Sequence, residues 1–303
     1  MPSPILAFAL PVVLFVIFWA HCYWPLAAVV RVAKTGAKRW SAWLVRSRVE
    51  KLAFGHSGPI GSYAPILLMI VLGAIAAIGA GSLFIELAEQ IRLTTSAVDR
   101  VDVAIQTWFG QERQPAMTVL FSIATNIGGA IGLGAIVVAV AALLLVRKER
   151  ASAIFVVVTV GVGELLNLGL KMIFMRTRPD LTSALTAARW YSFPSGHAMA
   201  SFITFGALAY IMLRRPWPWA AKSACLALAL TMAVLVGLSR VYLGVHWASD
   251  IAGAWSAGTV WLTATVVAFE MLLRLRQRRR GAPSTSPAAQ VPDKPVPAHP
   301  AKT

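Results

Sequence analysis

Residues 117–146 read MTVLFSIATNIGGAIGLGAIVVAVAALLLV, with no charged side chain, and stop at Arg147-Lys148-Glu149-Arg150. A helix needs about 20 mostly apolar residues to cross the hydrocarbon of a bilayer. A longer run ended by a charge cluster therefore reads as a membrane span. Working outward, further spans are expected near 63–85, 152–174, 197–213, 218–238 and 248–273. One more, at about 4–30, has no basic region before it and no clean small-residue cleavage site after it, so it reads as a retained span rather than a signal peptide. The glycines of the central stretch, Gly128, Gly129, Gly132 and Gly134, suit close helix packing better than ligand binding.

Composition agrees. Of 303 residues, 58% are apolar and 13% charged, about half the ~25% charge of soluble domains. The expected fold is all-α: a polytopic membrane helix bundle with a six-helix core and one extra N-terminal span. Residues 1–58 would form that span and a basic loop, 59–275 the core, and 276–303 a basic, Pro-rich tail too polar to pack. Residues 86–115, with charges of both signs, look like a short surface helix. Cys22 and Cys225 lie far apart and form neither a metal-type spacing nor a disulfide framework.

The net charge of +16 would suit nucleic acid only if the basic residues formed a patch with spaced aromatics. Instead they cluster in loops 31–58, 147–151 and 214–222 and in the stretch 274–280. With seven spans these all fall on one side, which the positive-inside rule assigns to the cytoplasm. Segments 86–115, 171–196 and 239–247 then face outward, and the C-terminus is cytoplasmic.

Two outward segments are dense in polar groups. One runs Lys171-Met-Ile-Phe-Met-Arg176-Thr-Arg178-Pro179-Asp180 and continues, after a linker, with Phe193-Pro194-Ser195-Gly196-His197; the other is Ser239-Arg240-Val-Tyr-Leu-Gly-Val-His246-Trp-Ala-Ser-Asp250. Lys171, Arg178 and Arg240 offer fixed positive charge, and an arginine fork matches phosphate oxygens. Ser195 and Gly196 open a helix, where free N–H groups favour an anion. His197 and His246 lie at the outer ends of different spans, and an imidazole serves as nucleophile or proton donor near neutral pH. Asp250, four residues after His246, shares its helical face and can accept the Nδ1 proton. Taken singly, each has a plainer reading: snorkelling arginines, a structural histidine, a helix-start carboxylate. All of them together on one membrane face do not. The residues leave open which histidine attacks, although the Asp250 spacing favours His246. Glu164 and Asn167 share a stripe with Lys171, and Glu164 either pairs with a cation inside the bundle or, as favoured here, has a structural role at a helix contact. Arg176 is divided evenly between contact with a headgroup or second phosphate and a surface role.

Lys171-x6-Arg178-Pro179, Pro194-Ser195-Gly196-His197 and Ser239-Arg240-x5-His246-x3-Asp250 resemble the three-part signature of the type 2 phosphatidic acid phosphatase superfamily, which also holds bacterial acid phosphatases and vanadium haloperoxidases. The resemblance covers roughly residues 60–273. It implies a six-helix core and a phosphatase that uses neither metal nor other cofactor. It also implies His246 as the nucleophile that forms a phosphohistidine, Asp250 orienting it, His197 as the acid, and Lys171, Arg178, Ser195, Gly196 and Arg240 binding the phosphate.

The expected function is hydrolysis of a lipid phosphate or diphosphate at the outer face of a bacterial cytoplasmic membrane. Undecaprenyl diphosphate is favoured over phosphatidylglycerol phosphate, phosphatidic acid and lipid A phosphates, because an outward site suits recycling of that carrier. The partners are the lipid substrate and the bilayer, with no nucleic acid; the sequence does not give the oligomeric state. The alternatives are a phosphotransferase using the same residues, a non-catalytic transporter or scaffold, and a vanadate-dependent peroxidase, against which the membrane spans argue.

Overall fold

A computed structural model describes residues 64–93, 96–180, 182, 184–188 and 190–281. The expected first span, its basic loop and the tail beyond 281 lie outside the described residues. Those described form eight helices and no strand: α1 (Ala64–Gln90), α2 (Ala97–Gln111), α3 (Pro115–Ile127), α4 (Ala130–Val146), α5 (Arg150–Phe174), α6 (Gly196–Leu213), α7 (Trp219–Tyr242) and α8 (Ala248–Gly281). Five are long and apolar enough to cross a membrane, and α3 with α4 make a sixth crossing if counted as one span. The expected six-span core is therefore present. The chain divides into a compact unit ending at Val267 and a second beginning at Ala268, whose described part is the last stretch of α8.

The central stretch is not one straight helix. It breaks at Gly128–Gly129, and α3 and α4 meet at 51°. A Cβ on Gly128 would collide with Val236 of α7, and one on Gly132 would lie 2.5 Å from the carbonyl oxygens of Asn126 and Ile127. These two glycines serve close packing as expected. Gly134 does not, since a Cβ there would meet nothing within 4 Å.

α2 is the expected short helix outside the spans. Its start is fixed by a capping box: Ser96 Oγ accepts from Asp99 N at 3.1 Å, and Ser96 N donates to Asp99 Oδ2 at 3.2 Å. It is not wholly a surface helix, because Asp102 is buried.

The core gathers Val160 of α5, Ala198, Met199 and Ile203 of α6, Val241 of α7 and Ile251 and Ala254 of α8. Small residues let the helices close up: Gly237 of α7 lies under Ile251 and Trp255, and Gly163 of α5 under Ile203 and Trp261. The Trp261 Nε1–H donates to Thr159 O at 2.8 Å, which satisfies a polar atom deep in the bundle. Large apolar side chains face outward, among them Leu68, Leu72, Ile75 and Ile78 along α1. Such a surface invites aggregation in water but is the solvent face in lipid. The protein is a multi-pass membrane protein.

The two ends of the bundle differ. At one, Arg215 after α6 grips Glu149 before α5 through two bonds of 2.7 Å. At the other, the end of α5 meets the start of α6, and the polar motifs lie there.

Candidate active site

α5 ends where Met175 adopts a left-handed conformation (φ 45°) and its N–H bonds Lys171 O. The chain then turns across the bundle end. Lys171, on the last turn of α5, donates from Nζ to Tyr191 O at 2.8 Å and to Ser192 O at 3.3 Å. Arg178 follows in the loop, with Nε donating to Trp190 O at 2.9 Å and Nη1 to Val245 O at 2.6 Å. Backbone carbonyls thus hold both cations by their heads.

Ser195 caps α6, and Gly196 is its first residue. A Cβ on Gly196 would lie 3.2 Å from Asn167 Oδ1, so the missing side chain lets the N-terminus of α6 sit against α5. His197 points to the α3–α4 break, where its Nε2 lies 3.4 Å from the place a Cβ on Gly129 would take. Arg240, in the last turn of α7, donates from Nη1 to Thr125 Oγ1 of α3. The side chains of Ser195 and Arg240 are buried, and Ser195 Oγ and Arg240 Nε have no hydrogen-bond partner among the described residues.

His246 follows the turn made by Gly244 (φ 80°) and is 2% exposed. Its Nδ1 lies 3.1 Å from Asp250 Oδ2, and its Nε2 lies 3.0 Å from Arg178 Nη1. Arginine only donates, so Nε2 accepts and the ring proton sits on Nδ1, facing Asp250. Burial lowers the His246 pKa to about 3; the bond to Asp250 opposes this, while the charges of Arg178 and Lys171 add to it. The ring is neutral at ordinary pH, and its Nε2 lone pair accepts from Arg178 at the cavity wall. Burial also lowers the pKa of Arg178, against the pull of Asp250. Asp250 accepts further from Trp247 N at 2.9 Å and from the Ser192 hydroxyl.

Lys171, Arg178, Gly196, His197, Arg240 and His246 line one cavity of about 660 Å³. Asp250 stands behind His246, and Ser195 lies beneath the α6 start. From this polar head the cavity runs along α4 and α5 past Leu133, Val137, Val157 and Leu168, where Gly134 and Gly161 leave the wall open. Glu164 stands on this wall with Asn167.

One expectation is overturned. Arg176 is neither a surface residue nor at the cavity: its side chain is 8% exposed, and it pairs with Asp250 at 2.8 Å, Asp102 at 2.9 Å and Asp99 at 3.2 Å. Sequence reasoning missed this cluster, along with Ser192, Ser249 and Thr125. The available signal was two aspartates three apart at the start of α2, which place two carboxylates on one helical face.

The sequence profile of the PAP2 superfamily matches residues 152–274, a stretch that contains every motif residue above. Phosphatidylglycerophosphatase B of Bacillus subtilis (strain 168) is 32% identical over 196 residues, which span 64% of this chain and 95% of that protein. The chain belongs to the PAP2 superfamily. The crystal structure of a transmembrane PAP2 type phosphatidylglycerolphosphate phosphatase from Bacillus subtilis matches with a TM-score of 0.61 at 30% identity, covering 65% of this chain and 96% of that one. Undecaprenyl-diphosphatase of Sulfolobus acidocaldarius is 38% identical over 80 residues, 26% of this chain and 34% of that protein. Membership bears out the family resemblance carried by the three motifs, and with it the all-helical membrane fold.

Proposed function

We propose that this PAP2 protein hydrolyses a lipid phosphate through a phosphohistidine on His246. The convergence of motif residues from three helices and the loops beside them on the head of one cavity, with Asp250 of a fourth behind His246, carries this reading. His246 Nε2 attacks phosphorus while the bond to the leaving oxygen breaks, and His197, which takes up a proton as the anionic phosphate binds beside it, gives that proton to the leaving oxygen. Water then attacks the phosphohistidine, His197 takes a proton back, the N–P bond breaks and inorganic phosphate leaves. Asp250 holds the Nδ1–H and steadies the ring as it loses its lone pair. Lys171, Arg178, Arg240, the Ser195 hydroxyl and the backbone N–H groups at the start of α6 hold the phosphoryl oxygens. Ser195 Oγ and Arg240 Nε, unpartnered among the described residues, are donors that such an anion would satisfy. The three cations would supply the charge that a metal ion supplies in other phosphatases.

The apolar limb of the cavity suits a lipid tail. Phosphatidylglycerophosphate is the first substrate to test, because the relative named for it is matched along nearly its whole length. Undecaprenyl diphosphate comes second, since that relative shares only a short segment. The basic ends at 147–150 and 214–215 lie opposite the site, which supports an extracytoplasmic face for the chemistry by the positive-inside rule.

Phosphate release by the purified chain from both lipids tests the reading. It should be inhibited by vanadate, indifferent to EDTA and lost in His246→Ala. Turnover surviving in His246→Ala would reject the nucleophile, and loss of activity in EDTA would reject the metal-free mechanism. A cysteine introduced near Thr186 should react with an impermeant reagent in intact cells; labelling only after permeabilisation would reverse the topology.

A further inference from the structure

Arg176 stands outside the cavity walls, on the far side of Asp250 from His246. Its Nη1 donates to Asp250 Oδ1 at 2.8 Å and to Ser249 Oγ at 2.6 Å. Its Nη2 donates to Asp102 Oδ2 at 2.9 Å and to Asp99 Oδ1 at 3.2 Å. Asp102, 2% exposed, also accepts from Ser249 N at 2.9 Å and from the Ser249 hydroxyl. One guanidinium therefore ties the start of α2 to the start of α8, with the Trp247 ring 5.7 Å from its centre. The two oxygens of Asp250 divide the work: Oδ2 faces His246, Ser192 and the Trp247 N–H, while Oδ1 faces Arg176.

We propose that Arg176, anchored by Asp102, is a positioning residue that limits how strongly Asp250 draws a proton to His246, and so extends to lower pH the range in which the nucleophile's Nε2 is unprotonated. The proposal rests on His246 as the nucleophile. A carboxylate hydrogen-bonded to an imidazole does two opposed things: it orients the ring, and it favours the imidazolium, which has no lone pair to attack with. A cation on the opposite oxygen keeps the orientation and weakens the second effect. The other charged or titratable groups around His246 are Arg178 beside Nε2, Lys171 of α5, His197 of α6 and Arg240 of α7. All the cations among them disfavour imidazolium. Asp250 favours it, and with Arg176 gone, Asp99 and Asp102 of α2 would stand uncompensated behind Asp250. Arg176 keeps its charge in this setting: burial works against it, but Asp250 and Asp102 outweigh that and raise its pKa.

The test uses full-length protein in detergent micelles. Histidine-selective NMR follows the titration of His246, identified by the signal lost in His246→Gln, and the pH profile of p-nitrophenyl phosphate hydrolysis is recorded alongside. In Arg176→Gln the His246 titration should move up by roughly one pH unit or more. The acid limb of kcat/KM should follow it, with KM little changed. Arg176→Lys keeps the charge but loses the fork, so kcat should fall while the titration stays in place. Because Arg176→Gln strands buried carboxylates, the double variant Arg176→Gln/Asp102→Asn, which removes one charge of each sign, guards against misfolding. It should show a smaller upward shift, since Arg176 touches Asp250 directly and Asp102 acts through it. A His246 titration unmoved in both glutamine variants, whatever happens to turnover, would overturn the proposal and leave Arg176 a structural tie. The NMR result needs no turnover, so a chain that hydrolyses no phosphate would refute the proposed reaction without touching this result.

Discussion

The two ends of this bundle use the same chemistry to different effect. At one, Arg215 and Glu149 meet in a bidentate pair with side chains 24% and 28% exposed. At the other, Arg176 is 8% exposed and its partners Asp102 and Asp250 are 2% and 0% exposed. Exposed pairs contribute about 0–1 kcal/mol because water screens them. Breaking a buried pair costs about 3–5 kcal/mol, because the stranded charge has no solvent. The first arrangement joins two loops and should contribute little. The second holds the group that orients the proposed nucleophile, and there a lost partner changes chemistry as well as stability.

The largest effect should come from the reactive end itself. His246→Ala should lower kcat for phosphate release by about 10⁴-fold or more with the fold retained, measured by steady-state turnover and thermal unfolding. Arg240→Ala removes a donor aimed at the proposed phosphate position and should cost about 10²–10³ in kcat/KM. A loss below tenfold would remove Arg240 from the site.

The pH response sharpens the contrast. His246 is neutral when folded, with a pKa of about 3 against about 6.5 in an unfolded chain. Its burial therefore favours the fold fully above pH 6.5, and that contribution is lost as pH falls toward 3, by up to about 1.4 kcal/mol per pH unit. His246→Gln should flatten that part of the stability curve, read as Tm against pH. Glu164→Leu, on the apolar limb, should change KM for a lipid substrate a few-fold and leave p-nitrophenyl phosphate turnover unaltered. Smallest of all, Glu149→Ala should alter stability by no more than about 1 kcal/mol. A larger loss would break the comparison between the two ends.

The apolar runs were legible because a bilayer admits few solutions to the backbone's hydrogen-bonding demand, and five helices plus a bent pair appear close to where they were read. The motif residues were legible because their types and spacing leave little else for them to do together. The α3–α4 break was not. Four glycines in one apolar run say that backbones approach closely, but the partner, Val236 of α7, lies more than 100 residues away and only the fold brings it near. Arg176 was misread for a similar reason: its neighbours in sequence are at a span end, where arginines commonly snorkel, while its partners come from α2 and α8. Glu164 was read as facing the bundle interior; the cavity it lines there, beside Asn167, depends on which helices leave a gap.

The break between α3 and α4 also bears on how the protein is made. At 13 and 17 residues and 1.5 Å per residue, the two halves reach only about 20 and 25 Å, short of the roughly 30 Å of hydrocarbon. α3 is too short to cross alone, and α4 stands at the lower limit of length for a crossing. Together the two halves are long enough to cross, so they are expected to insert as one segment. Glycosylation mapping of chains truncated after Ile127 and after Val146 should find only the longer one inserted.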